Sequence, residues 1–376
     1  MIMGVITMRI LQVNKLYAPV VGGVETVVRD IAEGLTPYTN MQVLVCQPKG
    51  RRTYELFNGV EITRANSLGT LLSMPLSLDF FRQYKRVSQN ADIVQLHFPF
   101  PLADLAVWLF GCKGKLVVWW HSDIVRQKIF LKFLVPLIHR TLKRADSIIV
   151  ASNETLSSSK FLPAYAHKCT IIPFGLDFNA YKNINNKNFL ITNAPHSKKL
   201  LFVGRLVYYK GVDILIKAMK SVENAELFVV GNGALEEQLK SEAESNQTNT
   251  KIHFLGTLPR EQLLSAYNSC DCLIFPSCAN SEAFGLTQLE AMYYAKPVIN
   301  TNLPTAVPWV SVHEETGLTV PVGDVTALAN AINRLVNDDT LREKLGQNAR
   351  QRVQELFDRR DMMKKLYSHY QNLLEC

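Results

Sequence analysis

The sequence predicts an α/β protein made of two Rossmann-like, doubly wound parallel-sheet domains. Three observations carry this. The chain has 376 residues, enough to bury two separate cores. Short apolar runs with no polar alternation, as in strands buried on both faces, alternate with stretches of helical period. That alternation produces parallel sheets flanked by helices, and it occurs twice, interrupted by a polar, Asn-rich segment at residues 179–199.

In the first half, residues 8–13 read as the opening strand. A loop carrying Gly22-Gly23 follows, then a helix with Val27, Val28, Ile31 and Leu35 on one face. Gly22 and Gly23 leave the backbone open to phosphate oxygens, although a Gly-Gly pair also makes a plain turn. Strands are expected at 41–47, 60–65, 92–97, 115–123, 146–152 and 168–173. Helices are expected at 75–87, 102–110 and 127–143. His97 and His121 each end a strand, where open α/β sheets place their ligands. A neutral imidazole can donate or accept a hydrogen bond near pH 7, which suits either histidine to a site.

In the second half, the strand and turn at 199–206 lead through Arg205 and Lys210 to a helix at 212–219. Arg205 offers a rigid fork of donors for phosphate and Lys210 a mobile point charge. Gly231-Asn232-Gly233 lacks the third glycine of a dinucleotide fingerprint. A strand at 251–256 and a helix at 260–269 come next. The strand at 271–277 then runs into Ser281-Glu282-Ala283-Phe284-Gly285-Leu286-Thr287-Gln288-Leu289-Glu290. Gly285 reads as a helix start, whose free N–H groups suit a diphosphate. Glu282 and Glu290 suit sugar and ribose hydroxyls, because carboxylates accept from O–H donors. A strand at 296–300 and helices at 325–335, 340–357 and 359–374 complete the chain, with Asp324 as an N-cap.

Composition narrows the function. Residues 1–180 hold 20 Lys+Arg and 12 Asp+Glu, so the whole net charge of +8 lies there. An anionic partner is expected on that half. Nucleic acid is excluded as that partner, since no stacking or recognition motif appears. The seven cysteines, Cys46, Cys112, Cys169, Cys270, Cys272, Cys278 and Cys376, are scattered and odd in number, and contain no C-x2-C pair. Neither a disulfide framework nor a metal site is expected, and a reducing cytoplasm fits. No secretory signal or membrane-spanning run is visible. The basic, apolar segment 127–144 predicts peripheral, salt-sensitive docking on an anionic membrane surface. In the bland alternative its apolar face packs on the sheet.

The motifs resemble those of retaining, family-4 type glycosyltransferases with the GT-B fold, two such domains facing across a cleft. Glu282 and Glu290 match the family's E-x7-E pattern, residues 204–211 its G-R-L-x3-K-G clamp, and residues 316–324 its T-G-L-x-V-P-x-G-D segment. The chain departs at Ala306 and Trp309, where members often carry small-Gly-x-x-Glu.

The resemblance implies an acceptor-side domain at 1–180, to which helix 359–376 returns, and a nucleotide-sugar domain at 181–358. It implies that Glu282 holds the hexose, Glu290 the ribose, and Ile252 lies near the base. Arg205, Lys210, Gly22, Gly23 and the N–H groups around Phe284, Gly285, Leu286 and Thr287 hold the diphosphate. His121 lies beside the transferred sugar, and His97 on the acceptor side.

The expected reaction moves a hexose, first choice mannose from GDP-mannose, to a glycan or lipid-linked acceptor of a surface polysaccharide or lipopolysaccharide. A UDP-hexose is the alternative donor. No cofactor or metal is expected, because the chain has no Asp-x-Asp pair and its cations can do that work. The competing readings are a catalytically silent nucleotide-binding subunit and an epimerase. The first would have lost His121 or the Arg205/Lys210 pair, and the second needs an acid/base pair that is not evident.

Overall fold

The computed structural model describes residues 8–20, 22–71, 74–124, 128–182, 189–192, 194, 196–248 and 250–375. The chain forms two compact units, Met1–Phe174 with Asp361–Cys376, and Gly175–Arg360. Of the polar segment expected between domains, 183–188, 193 and 195 lie outside the described residues.

The first unit contains β1 Arg9–Val13, β2 Asn40–Cys46, β3 Thr53–Phe57, β4 Val60–Ala65, a small β5 Thr70–Leu71 and β6 Met74–Pro75 pair, β7 Ile93–Phe98, β8 Lys115–Trp120, β9 Ser147–Val150 and β10 Cys169–Ile171. Its main sheet runs β10-β9-β8-β7-β1-β2-β4-β3. Its helices are α1 Gly23–Leu35, α2 Asp79–Ser88, α3 Pro101–Phe110, α4 Lys128–Arg144 and α5 Asn153–Ser158. Strand order reverses between β1 and β7, so the carboxyl ends of β1, β7 and β8 flank a switch point, the usual ligand crevice of such sheets.

All main-sheet pairings are parallel except β3 with β4. β3 is an antiparallel edge strand added to the parallel sheet that the sequence predicts. All five β3 residues are exposed, so no buried pattern marked it. The signal available was Asn58-Gly59, both at positive φ, an Asn-Gly turn that closes a hairpin.

The second unit contains β11 Lys198–Val203, β12 Ala225–Val230, β13 Ile252–Gly256, β14 Cys272–Ile274, β15 Val298–Thr301 and β16 Gly317–Val320. Its sheet runs β13-β12-β11-β14-β15-β16, parallel throughout. That is the dinucleotide-fold order, with its switch point between β11 and β14. Its helices are α6 Val212–Met219, α7 Glu236–Ser245, α8 Arg260–Ser269, α9 Leu286–Tyr293, α10 Val307–Val310, α11 Val325–Asn337 and α12 Asp339–Leu356. The last helix, α13 Arg359–Glu375, belongs to the first unit from Asp361 onward.

The same local device aligns both sheets. Asp92, Asp146 and Asp271 each precede a parallel strand, and each carboxylate accepts the N–H of a residue at the start of the neighbouring strand, from Arg9, Leu116 and Lys199. Burial is nearly complete behind them: every residue of β7, β9, β12 and β15 is buried. At about 25 cal/mol per Å² of apolar surface, such strands supply most of the drive to fold.

Candidate active site

In the second unit, the candidate residues converge on the carboxyl ends of β11 and β14. After β11 the chain passes Arg205 and reaches Lys210, whose ammonium lies 2.6 Å from Glu282 Oε2. Both side chains are only 11% exposed. Ser277 donates to the same carboxylate oxygen at 3.2 Å. Lys210 also lies 5.0 Å from the ring centre of Phe275. Sequence reasoning gave Lys210 and Glu282 separate ligand groups; the fold makes them a nearly buried ion pair.

Gly211 permits this approach. Its φ is +66°, and a Cβ there would stand 2.1 Å from the Pro276 carbonyl oxygen. Arg205 is exposed and donates to the Tyr209 hydroxyl at 3.0 Å.

Helix α9 begins at Gly285, left-handed at φ +83°, with Phe275 and Gln288 too close to admit a Cβ. Its first turn is pinned by Gln288, which donates to the Phe284 and Val307 carbonyls. Fully buried Asn300 binds Gln288, Val307, Ser311 and Thr319. Phe284 is buried against Trp309 and Phe357 and supports the loop from behind. Leu286 and Thr287 occupy the first turn, and the Thr287 hydroxyl is buried without a hydrogen-bond partner among the described residues.

Glu290 lies one turn further along α9. Its two oxygens accept from the hydroxyls of Tyr181 and Tyr267, each at 2.7 Å. Burial pushes the Glu290 carboxyl up from its usual range, while the two phenol donors and nearby Arg260 pull it back. Neither tyrosine was foreseen. They lie 109 and 23 residues away in sequence, on a 3-10 turn and on α8.

Ile252 requires correction. It opens β13, at the end of the sheet away from the ligand crevice, and packs in the core with Leu227 and Val222. It is the one buried residue of that strand, and its side chain is committed to the core. Cys270 and Cys272 are likewise buried, and burial pushes the Cys270 thiol up to about 12. Among the described residues, no three His, Cys, Asp or Glu side chains group as metal ligands.

In the first unit, His121 follows β8, with its N–H bonded to the Phe98 carbonyl at 3.1 Å. Asp123 holds the loop beyond it, accepting from Trp120, Ser159 and the Lys160 N–H. His121 is 7% exposed and stacks on His97, Trp119 and Phe174. Its Nε2 lies 2.9 Å from His97 Nδ1. Burial drives the His121 imidazole down to about 3, so the ring is neutral at ordinary pH.

At the start of α1, Gly22 is extended, and a Cβ there would meet only the far end of Glu25. A Cβ on Gly23 would enter open space. The preceding loop is tied to β4 by Arg64, which donates to the Tyr17 and Ala18 carbonyls and pairs with Glu55. Arg64 went unrecognised because its partners become adjacent only when β4 joins the sheet.

Comparison with known proteins places this architecture. The family profile "Glycosyl transferases group 1" matches residues 185–352, and "Glycosyltransferase Family 4" matches residues 21–180. The chain is 33% identical over 353 residues to the D-rhamnosyltransferase WbpZ of Pseudomonas aeruginosa, covering 93% of this chain and 92% of that one. The chain belongs to the group 1 glycosyltransferases. This glycosyltransferase is also 30% identical over 370 residues to O-antigen chain mannosyltransferase C of Escherichia coli, covering 98% and 99% of the two chains. Among solved structures it resembles sucrose-phosphate synthase from Thermosynechococcus elongatus, with TM-score 0.82, 20% identity and coverage of 98% and 99%. The fold is therefore GT-B, and the chain is a hexosyltransferase enzyme.

Proposed function

We propose that this glycosyltransferase moves a hexose, with retention of configuration, from a nucleoside diphosphate sugar to a growing surface polysaccharide of the O-antigen type. The setting is supported by the names of its two full-length relatives, a D-rhamnosyltransferase and an O-antigen chain mannosyltransferase. GDP-mannose is the first donor proposed and a UDP-hexose the alternative. The acceptor proposed is a glycan or a lipid-linked glycan.

The observation that carries the site is the Lys210–Glu282 pair beside the start of α9. Lys210, exposed Arg205 and the first-turn N–H groups of α9 would meet the diphosphate, with the open backbone at Gly22-Gly23 as a further phosphate contact. The second Glu282 oxygen would accept a hexose hydroxyl. Glu290, shaped by its two tyrosines, would accept from the ribose, and His121 from a sugar hydroxyl. In the step proposed, the anomeric C–O bond to the phosphate breaks and the acceptor oxygen bonds from the same face. The acceptor proton passes to the leaving diphosphate. Fixed cations stabilise the charge that grows there, so the reaction needs no divalent ion.

Nucleotide release against a panel of GDP- and UDP-sugars tests the donor. Release from GDP-mannose alone supports the first choice, and release from none of the panel overturns the proposal. Loss of turnover in EDTA, restored by a stoichiometric metal ion, would overturn metal independence.

Peripheral membrane docking is proposed on charge alone. Ile138 and Leu142 of α4 are buried in the first unit's core, with Leu134 and Val135 packed on it. That part of the apolar face is therefore committed to the fold. Gln127 and the side chains of residues 128–133 lie outside the described residues. No helix among the described residues is long and apolar enough to cross a membrane.

A further inference from the structure

Beneath His121 lies a polar network in a region otherwise filled with apolar side chains. Gln12 of β1, Gln95 and His97 of β7, and Tyr370 of α13 are all at most 1% exposed. Three of them close a ring. The Tyr370 hydroxyl donates to Gln95 Oε1 at 2.5 Å, Gln95 Nε2 donates to Gln12 Oε1 at 2.9 Å, and Gln12 Nε2 donates to the Tyr370 oxygen at 3.4 Å. The distances set the ring's direction. A separation of 2.5 Å suits an O–H donor and is too short for an amide N–H, while 3.4 Å suits only a weak amide contact. Reversing both amides would leave the middle contact at 2.9 Å but put an amide donor at 2.5 Å and the hydroxyl donor at 3.4 Å, the wrong way round for both.

The ring then fixes the protons on two histidines. His97 Nε2 faces two amide atoms, Gln12 Oε1 at 2.7 Å and Gln95 Nε2 at 3.4 Å; the much shorter contact is to the acceptor, so this nitrogen carries a proton and donates it to Gln12. A neutral imidazole has one N–H, which leaves His97 Nδ1 as an acceptor. His121 Nε2, 2.9 Å away, must be the donor to it. His121 Nδ1 is thereby left with a bare lone pair, and no hydrogen bond occupies it among the described residues.

We propose that Tyr370, Gln95, Gln12 and His97 form a relay that locks His121 in the Nε2–H tautomer, so that His121 Nδ1 acts only as an acceptor toward a hydroxyl of a sugar substrate. Gln12, Gln95, His97 and Tyr370 are positioning residues, and none needs to touch substrate. The proposal rests on the reading that places His121 beside a sugar. It adds which nitrogen meets the ligand, and it requires the ligand group to be a donor. It also gives the last helix a part in the reaction, since Tyr370 starts the chain of donors. The stacked rings of His97, Trp119, His121 and Phe174 prevent His121 from turning over to present its other nitrogen.

The test uses the full-length protein labelled with ¹⁵N-histidine. Long-range proton–nitrogen spectra separate protonated from bare ring nitrogens, and comparison with His97→Phe and His121→Gln assigns the relevant two of the eight histidines. The unaltered protein is expected to show a protonated Nε2 and a bare Nδ1 at His121. His97→Phe keeps a ring for the stack but removes the acceptor. It should populate the second tautomer and lower kcat about tenfold or more, with donor KM unchanged. His97→Asn, whose carbonyl oxygen can replace Nδ1 as acceptor, should restore the tautomer and most of the turnover. Tyr370→Phe should release the ring of donors and populate the second tautomer as well.

A proton on His121 Nδ1 in the unaltered protein overturns the proposal, and that reading needs no variant to fold. Equal kcat for His97→Phe and His97→Asn also overturns it. Unchanged turnover in His121→Ala would remove His121 from the reaction, while the spectra would still decide the tautomer.

Discussion

Arg205 and Lys210 bear the same charge five residues apart, but their surroundings predict different mutant behaviour. Arg205 is exposed and, among the described residues, bonds only the Tyr209 hydroxyl. Arg205→Ala is expected to lower kcat/KM about 100-fold, the loss of one charge-assisted donor to the leaving diphosphate, with Tm almost unchanged. Lys210→Ala leaves Glu282 buried without its cation, and removing one partner of such a pair costs about 3–5 kcal/mol. It should therefore lose turnover and stability together. Melting curves beside kinetics separate the two cases, and equal Tm losses would contradict this difference in surroundings. Glu290→Ala should weaken binding of free nucleoside diphosphate, whereas Glu282→Ala should spare that binding and reduce turnover. Titration of GDP and UDP into both variants checks this, and equal losses would remove the distinction.

Helix α9 and the α3–α4 pair show the same economy at the scale of elements. Gly285 lets α9 start beside Glu282, and an alanine there would meet Phe275 at about 2.7 Å in a left-handed conformation. Gly285→Ala is expected to destabilise the protein by about 1–3 kcal/mol and to weaken diphosphate binding, measured by urea unfolding and by titration. Asp104 of α3 is buried, and burial raises its carboxyl to about 7 against Thr141, which pulls it down. The folded state therefore holds an extra proton above the ordinary value of 3.8. Stability from Asp104 is complete below 3.8 and lost as pH rises through about 7, on the order of 4 kcal/mol in all. His121 has the opposite sign: its stability is present above 6.5 and lost as pH falls toward 3. Asp104→Asn should abolish the alkaline decline while keeping the acid one. Urea midpoints at about pH 5 and about pH 8 decide this, and an unchanged difference between them would refute it.

For the whole molecule, the net charge of +8 lies in residues 1–180. Lys143 and Arg144 at the end of α4 are exposed. Co-sedimentation with anionic vesicles is expected to fall as salt rises, each cation near the surface contributing about 1 kcal/mol. Reversal of Lys128, Lys132 and Lys143 to glutamate should weaken it. Equal recovery with neutral and anionic vesicles would defeat the proposal.

What the sequence determined by itself was whatever is written in local pattern. Buried strands appear as continuous apolar runs, and Gly-Arg-Leu and Glu-x7-Glu lie within single strand–loop–helix units. The two sheets, the start of α9 and the placement of Arg205, Lys210, Glu282 and Glu290 were therefore legible from the residues. The exposed strand β3 was not, because nothing in its residues is buried, and Ile252 was misread because its role was taken from the resemblance of the whole segment 251–256 and not from its own place at the start of the strand. Tertiary structure decided the partners. Lys210 and Glu282 are 72 residues apart and meet only because β11 and β14 are neighbours at the switch point. Tyr181 and Tyr267 reach Glu290 from different elements, and Tyr370 comes within reach of Gln95 across 275 residues. Hydrogen bonds and ion pairs act over about 3 Å, so their partners exist only once the sheets have assembled.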